Sequence, residues 1–333
     1  MSEQTATVQA DAVDGVRRVL MLTHTGREEA REVAMACCKS LAGHGIVVRM
    51  LAAEAGDLAV DPAAYAPEIE LAESEVGASE GCELALVIGG DGTILRAAEI
   101  VHAHRTPVLG VNLGHVGFLA EAEYDDVEST IEAIVHRRYT AEDRLTLDVR
   151  VYRDGEEAFR TFAVNEASVE KAARERMLEV VVEIDGRPLS RWGCDGVVCA
   201  TPTGSTAYNF SAGGPIVWPA VEALLMVPIS AHALFARPMV VAPTSVLAIE
   251  VIDRTDGLGV LWCDGRRSFD LPPGARIEVT RGVEPVRLVR LHEAPFTDRL
   301  VRKFGLPVEG WRGSAERRRS QHAAERLRGD GSA

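Results

Sequence analysis

The sequence predicts two domains of different class: an N-terminal Rossmann-like parallel α/β domain and a C-terminal antiparallel β-sandwich-type domain. Three observations carry this. Before residue 139, short apolar runs without alternation (19–22, 46–51, 84–88) are separated by segments of helical apolar spacing, the pattern of strands buried on both faces. Beyond it, several runs alternate with period two, and Asp154-Gly155 and Asp185-Gly186 fall between them, as hairpins require. The 333 residues suffice for two domains of ordinary size.

Taken in order, residues 1–16 read as a polar, disordered leader. Residues 17–139 form the α/β domain. A strand at 19–22 turns through His24, Thr25 and Gly26 into a helix at 28–41, whose Ala30, Val33, Ala34, Cys37 and Leu41 share one face. Gly43 and Gly45 end it, and a strand at 46–51 follows. Residues 53–80, rich in Ala, Glu, Asp and Pro, read as an irregular acidic connection. Then come the strand at 84–88, a helix at 94–104, a strand at 107–112, a glycine-punctuated turn at 113–119 and an amphipathic helix at 124–138.

Residues 140–292 read as the all-β domain, with strands at 145–151, 159–169, 177–184, 196–200, 239–241, 246–252, 260–262, 276–280 and 286–291. Residues 293–312 pack back on the α/β domain through a short helix at 295–304, and 313–333 form a charged tail.

Composition narrows the function. A net charge of −14 argues against a general nucleic-acid binder. Lysine occurs only at Lys39, Lys171 and Lys303, none after a glycine-rich turn, so a P-loop is absent. Six cysteines without Cys-x-x-Cys spacing make zinc a poor fit and suit a reducing cytosol. No signal core or membrane-length apolar run occurs, and a cytoplasmic protein is expected.

The chemistry concentrates in a few places. Leu84–Ile88 ends in Gly89-Gly90-Asp91-Gly92-Thr93, and a helix follows. Strand, glycine turn and helix start make a phosphate site. Asp91 repels phosphate unless it takes a proton or holds a metal; otherwise it simply caps the turn. Asn165-Glu166 interrupts an apolar run. These residues face a polar cavity or mark a strand end, because a buried unpaired carboxylate is costly. Asp195-Gly196 precedes a buried strand, and 201–215 then strings together Thr201, Thr203, Ser205, Thr206, Tyr208, Asn209 and Ser211 with several glycines. That run offers many short donors to a polar ligand.

Gly89-Gly90-Asp91-Gly92-Thr93 resembles the signature shared by NAD kinases, phosphofructokinases and diacylglycerol kinases. Asn165-Glu166, Asp195-Gly196, the run from Thr201 to Tyr208, Gly213-Gly214-Pro215 and the segment 229–238 narrow the resemblance to NAD kinases, over about residues 18–312. It implies transfer of a phosphoryl group from ATP, or from polyphosphate, to the adenosine ribose 2′-hydroxyl of NAD+, with Mg2+ or another divalent metal accompanying the donor and no dedicated protein metal site. It implies Asp91 as general base, with Gly90, Gly92 and Arg96 lining its pocket. Asn165, Glu166 and Arg176 would hold one end of the dinucleotide. Asp195 and the run Thr206, Ala207, Tyr208, Asn209, Phe210 and Ser211 would hold the other. It assigns no role to Asp264 or Arg266.

It further implies a homo-oligomer, commonly a tetramer, to which the apolar stretches 223–229 and 234–241 would contribute. Neither nucleic acid nor a membrane is an expected partner. A lipid or sugar kinase with the same glycine turn, or a non-catalytic NAD(P)-binding sensor, are the other classes. The absence of a membrane-facing segment speaks against the lipid kinase, and the presence of Asp91 against the sensor.

Overall fold

The computed structural model describes residues 15–60, 68–114, 117–123, 126–173, 177–252, 258–292 and 295–308. The first half runs β1 (Arg18–Thr23), α1 (Glu28–Gly43), β2 (Val47–Leu51), α2 (Ala52–Asp57), β3 (Ile69–Ala72), β4 (Leu84–Ile88), α3 (Asp91–Val101), β5 (Val108–Asn112), β6 (Ala122–Glu123), α4 (Val127–Val135) and β7 (Thr140–Arg144). The second half continues with β8 (Leu147–Arg153), β9 (Glu156–Ala163), β10 (Glu166–Lys171), β11 (Leu178–Ile184), β12 (Arg187–Cys194), β13 (Gly196–Ala200), α5 (Tyr208–Ser211), β14 (Leu224–Ile229) and β15 (Met239–Val241). It ends with β16 (Leu247–Val251), β17 (Gly259–Cys263), β18 (Arg267–Leu271), β19 (Arg276–Arg281), β20 (Val286–Arg290) and α6 (Phe296–Phe304).

The first sheet has the order β3-β2-β1-β4-β5-β20-β7, with β6 beside β5. All its pairings are parallel except β20 with β7. Both faces are buried. Val19, Met21, Leu84 and Leu86 face Val33, Cys37 and Leu41 of α1 and Ile134 of α4. Leu20, Leu22, Ala85 and Val87 face Ile94, Ala97 and Val101 of α3. This double burial is why these strands read as unbroken apolar runs. The chain moves outward from β1 to β2 and β3, then returns to β4 on β1's other side, so the strand order reverses between β1 and β4.

The β-rich half forms two six-stranded antiparallel sheets, β15-β14-β13-β10-β17-β18 and β12-β11-β16-β19-β8-β9. Their inner faces meet in one core, with Val149, Val180, Ile249 and Ile277 from one sheet and Val169, Val197, Met226 and Leu261 from the other. Asp154-Gly155, Asp185-Gly186 and Asp264-Gly265 turn hairpins with positive φ at every position, the type I′ geometry that suits strand twist.

Four readings need correction. The run 159–169 is two strands in different sheets, β9 and β10, with the chain crossing at Val164-Asn165. The stretch 53–80 is not wholly irregular: it holds α2 and β3, an edge strand of only four residues whose pattern is too short to register. Strands β7 and β20, from the stretch 140–292, belong to the first sheet. Residues 224–227 are fully buried in β14, between β13 and β15, and offer no surface for assembly.

Candidate active site

Asp91 is the first residue of α3, directly past the carboxyl end of β4, where strand order reverses. Open parallel sheets bind ligands at such a point. The carboxylate is half-buried, and both oxygens are held: the Phe118 N–H donates to Oδ2 at 3.0 Å and the Leu119 N–H to Oδ1 at 3.1 Å. Gly117 permits this approach, because a Cβ there would overlap Asp91 Oδ1. The second glycine turn therefore aims the first one's carboxylate. Gly92 is exposed, with open space where a side chain would stand. Gly90 is similarly roomy, with only Asn112 Oδ1 at 4.0 Å from its side-chain position.

Arg96, expected in this pocket, gives its guanidinium to two carboxylates, Glu54 at 2.5 Å and Glu75 at 2.8 Å. Glu54 also accepts from the Thr23 N–H at 2.9 Å. The arginine thus ties α3 to the end of β1 and to α2.

At the crossing from β9 to β10, three successive amides converge on Asp264. Val164, Asn165 and Glu166 donate to its carboxylate at 3.0, 2.7 and 3.3 Å. Arg267 completes the cap at 2.8 Å. Asp264 is buried, and burial raises its pKa against the pull of these amides and Arg267. Arg266 and Arg267 reach Glu99 on α3 at 3.0 and 3.2 Å, and Arg267 lies 4.5 Å from the Phe162 ring centre. Val164 and Phe162 pack into the same core as α3. The Asn165-Glu166 corner is thereby pinned against the helix that carries Asp91.

Glu166 is 8% exposed, and its Oε2 has no hydrogen-bond partner among the described residues. Burial first, then the Asp264 charge, push its carboxyl up to about 8, opposed by the Tyr208 backbone N–H.

The segment 201–217 covers the outer face of β13 and β14, where Tyr208, Ala212 and Val217 pack on Val198, Ala200, Leu225 and Val227. It begins against the corner: Thr201 Oγ1 donates to the Val164 carbonyl at 2.6 Å, and Gly204 lies so close to the Asn165 carbonyl that any Cβ would overlap it. Burial first, then the carboxylates of Glu170, Glu166 and Asp195, raise the Tyr208 phenol pKa. Asp195 precedes the other end of β13, roughly 20 Å from Thr201 at the usual rise per residue. It pairs with Lys171 at 2.5 Å, and that bond holds its carboxyl below the usual range.

The expected ligand run divides. Asn209 is wholly buried and its amide nitrogen donates to the Ser205 and Pro215 carbonyls at 3.2 and 3.1 Å, fastening the segment to itself, while its Oδ1 has no partner among the described residues. Thr206 Oγ1 donates to the Thr203 carbonyl at 3.4 Å. Ala207 is half-buried, Ser211 is exposed, and Phe210 is exposed with its ring 4.8 Å from Phe304 of α6. Arg176 lies outside the described residues.

Sequence reasoning gave Asp264 no role, and it placed the helix at 295–304, now α6 at Phe296–Phe304, without giving it any part in the site. The first carried a readable signal, an Asp-Gly pair between two apolar runs like the hairpin pairs at 154 and 185. The second carried only a short amphipathic pattern.

This geometry has close counterparts. The ATP-NAD kinase N-terminal domain model matches residues 19–139, and the ATP-NAD kinase C-terminal domain model matches residues 164–291. NAD kinase of Thermobifida fusca is 59% identical over 308 residues, 91% of this chain and 94% of that one. NAD kinase 2 of Streptomyces coelicolor is 59% identical over 300 residues, 90% of this chain and 98% of that one. Among solved structures, yeast NADH kinase complexed with NADH superposes with a TM-score of 0.79 at 26% identity, covering 89% of each chain. With both family models spanning most of its length, and relatives this similar end to end, the chain belongs to the ATP-NAD kinase family.

Proposed function

We infer that this chain transfers the terminal phosphoryl group of ATP to the 2′-hydroxyl of the adenosine ribose of NAD+, forming NADP+ and ADP. The observation that carries the reading is Asp91: a half-buried carboxylate at the switch point of a parallel sheet, with each oxygen fixed by a backbone amide. In the reaction the 2′-oxygen bonds to the terminal phosphorus, the bond from that phosphorus to the bridging oxygen breaks, and the hydroxyl proton passes to Asp91. Such transition states ask the protein mainly for positioning and charge neutralisation. A carboxylate already held by two amides reorganises little as it takes the proton.

The space at Gly90 and Gly92 gives the substrates room to approach the start of α3. Asn165 and Glu166 are proposed to meet the dinucleotide, supported by the buried, unpartnered Glu166 Oε2. Tyr208 is proposed to lie against one of its rings. Thr206, Ala207, Asn209, Phe210 and Ser211 are proposed to complete that wall, and Arg176 to join Asn165 and Glu166 in binding the dinucleotide. Polyphosphate remains a second candidate donor.

A divalent ion, Mg2+ in this reading, would neutralise charge on the triphosphate. No group of three or more His, Cys, Asp or Glu side chains among the described residues is arranged so that it could hold a metal ion. One carboxylate with backbone amides fits an ion brought by the donor and ligated chiefly by water and phosphate.

We also propose a homo-oligomer, a tetramer by family likeness. Leu234, Phe235 and Val240 are exposed on the segment after β14. That segment bridges back to Gly193 through His232, close to Asp195. A cytoplasmic location goes with six buried, unpaired thiols. No helix among the described residues is long and apolar enough to cross a membrane.

Asp91→Asn tests the reading. The amide keeps the shape but cannot accept a proton, so kcat should fall by about 10²–10⁴-fold while NAD+ affinity is largely retained. A kcat near wild type would remove Asp91 as the base.

A further inference from the structure

The turn that aims Asp91 is itself held from behind by the C-terminal helix. Phe118 gives its N–H to Asp91 and its carbonyl to Arg299 of α6, at 3.0 and 3.2 Å. Arg299 also donates to the Ala120 carbonyl at 2.7 Å and to Glu121 Oε2 at 2.6 Å. Glu121 is 2% exposed in its side chain. It is further fixed by Arg290 at 2.9 Å and by the Leu291 and His292 amides at 3.1 and 3.2 Å. One guanidinium thus spans three acceptors across 118–121, the stretch that supplies both amides to Asp91.

The rings of α6 tie the same turn to the polar segment. Phe118 lies 6.0 Å from both Phe296 and Phe304. On their other side, Phe304 lies 4.8 Å from Phe210 and Phe296 lies 5.3 Å from Trp218. The helix therefore touches the base's turn and the covering segment at once.

We propose that α6 is a positioning element for the reaction, in which Arg299 holds the 118–121 turn so that its two amides orient the Asp91 carboxylate. The proposal rests on Asp91 being the base. Arg299 does not touch the reacting atoms. Its effect passes through the turn, so it belongs in kcat rather than in substrate affinity. Misplacement of a reacting group by an ångström costs on the order of 100-fold, which sets the scale of the loss.

The test uses Arg299→Gln, Arg299→Lys and Asp91→Asn in the full chain. Arg299→Gln should lower kcat by roughly 10–100-fold with NAD+ affinity, read by calorimetry, changed less than about twofold. Arg299→Lys should recover part of the loss, since a lysine still meets Glu121 but cannot span both carbonyls as well. Combined with Asp91→Asn, Arg299→Gln should cost less than about twofold more, because groups acting through one residue are not additive.

The proposal is overturned if folded Arg299→Gln turns over at the wild-type rate, loses affinity in place of kcat, or loses as much beside Asp91→Asn as alone. If Arg299→Gln does not fold, Arg299→Lys carries the test alone: a partial loss of kcat at unchanged affinity is expected, and a wild-type rate or a loss of affinity in its place overturns the proposal. Asp91→Asn with wild-type kcat overturns the base assignment and this proposal with it. An inactive Asp91→Asn beside a fully active Arg299→Gln overturns this proposal alone.

Discussion

Replacing Glu166 by glutamine tests whether the carboxyl beneath the 201–217 segment is neutral in the folded protein. The group is buried, one oxygen has no partner among the described residues, and the Asp264 carboxylate adds repulsion. Burial first, then that charge, raise its pKa from the ordinary 4.5 to about 8. Between these values the folded chain keeps a proton that the unfolded chain has released. Stability must then fall as pH rises through that window. The slope is at most about 1.4 kcal/mol per pH unit, which reaches about 3 kcal/mol by pH 7 and about 5 kcal/mol by pH 8. These are upper limits, since water admitted to the ionised carboxylate reduces them. Glutamine does not titrate, so the stability of Glu166→Gln relative to wild type should grow steadily from pH 5 to pH 8. Glu70, Glu142 and Asp148, held low beside arginines, titrate alike in both proteins and cancel from the difference. Urea unfolding followed by far-UV circular dichroism at each pH supplies the comparison. A difference constant across the range would refute the reasoning and make Glu166 ionised in the folded state throughout.

Tyr208→Ala should weaken NAD+ binding by on the order of 1–3 kcal/mol if the ring stacks on a base. Phe there should restore most of it in a titration, and a Phe variant as weak as Ala would shift the role to the hydroxyl. Asp264→Asn should destabilise the protein by about 3–5 kcal/mol, as losing one partner of a buried pair does. Thermal melting checks it, and an unchanged Tm would mean that Asp264 does not hold the corner. If sites are shared between subunits, activity should fall on dilution together with oligomer mass. Mixing Asp91→Asn with Asp195→Ala chains should then recover some active sites, and light scattering from a fully active monomer would end that idea.

Local sequence determined the class of each half and the place of the glycine turn. A strand buried on both faces must be apolar at every position, as Leu84 to Ile88 is, and a hairpin turned by Asp-Gly needs no distant partner to declare itself. Asp91 was legible for the same reason, since a carboxylate in a glycine turn at a strand end stands out from its neighbours alone. Tertiary structure decided what depends on residues far apart in the chain. Asp264 becomes the cap of 164–166 only when β17 is paired beside β10, about a hundred residues away in sequence. Arg96 and Asn209 look like free polar groups until Glu54, Glu75 and the Ser205 and Pro215 carbonyls are brought to them. Strand β20 carries the chain back into the first sheet, and α6 follows it to the turn behind Asp91. Periodicity records which side of a strand or helix is covered, but not by what. That pairing is settled by long-range burial and hydrogen bonding, which leave no mark on a local stretch of sequence.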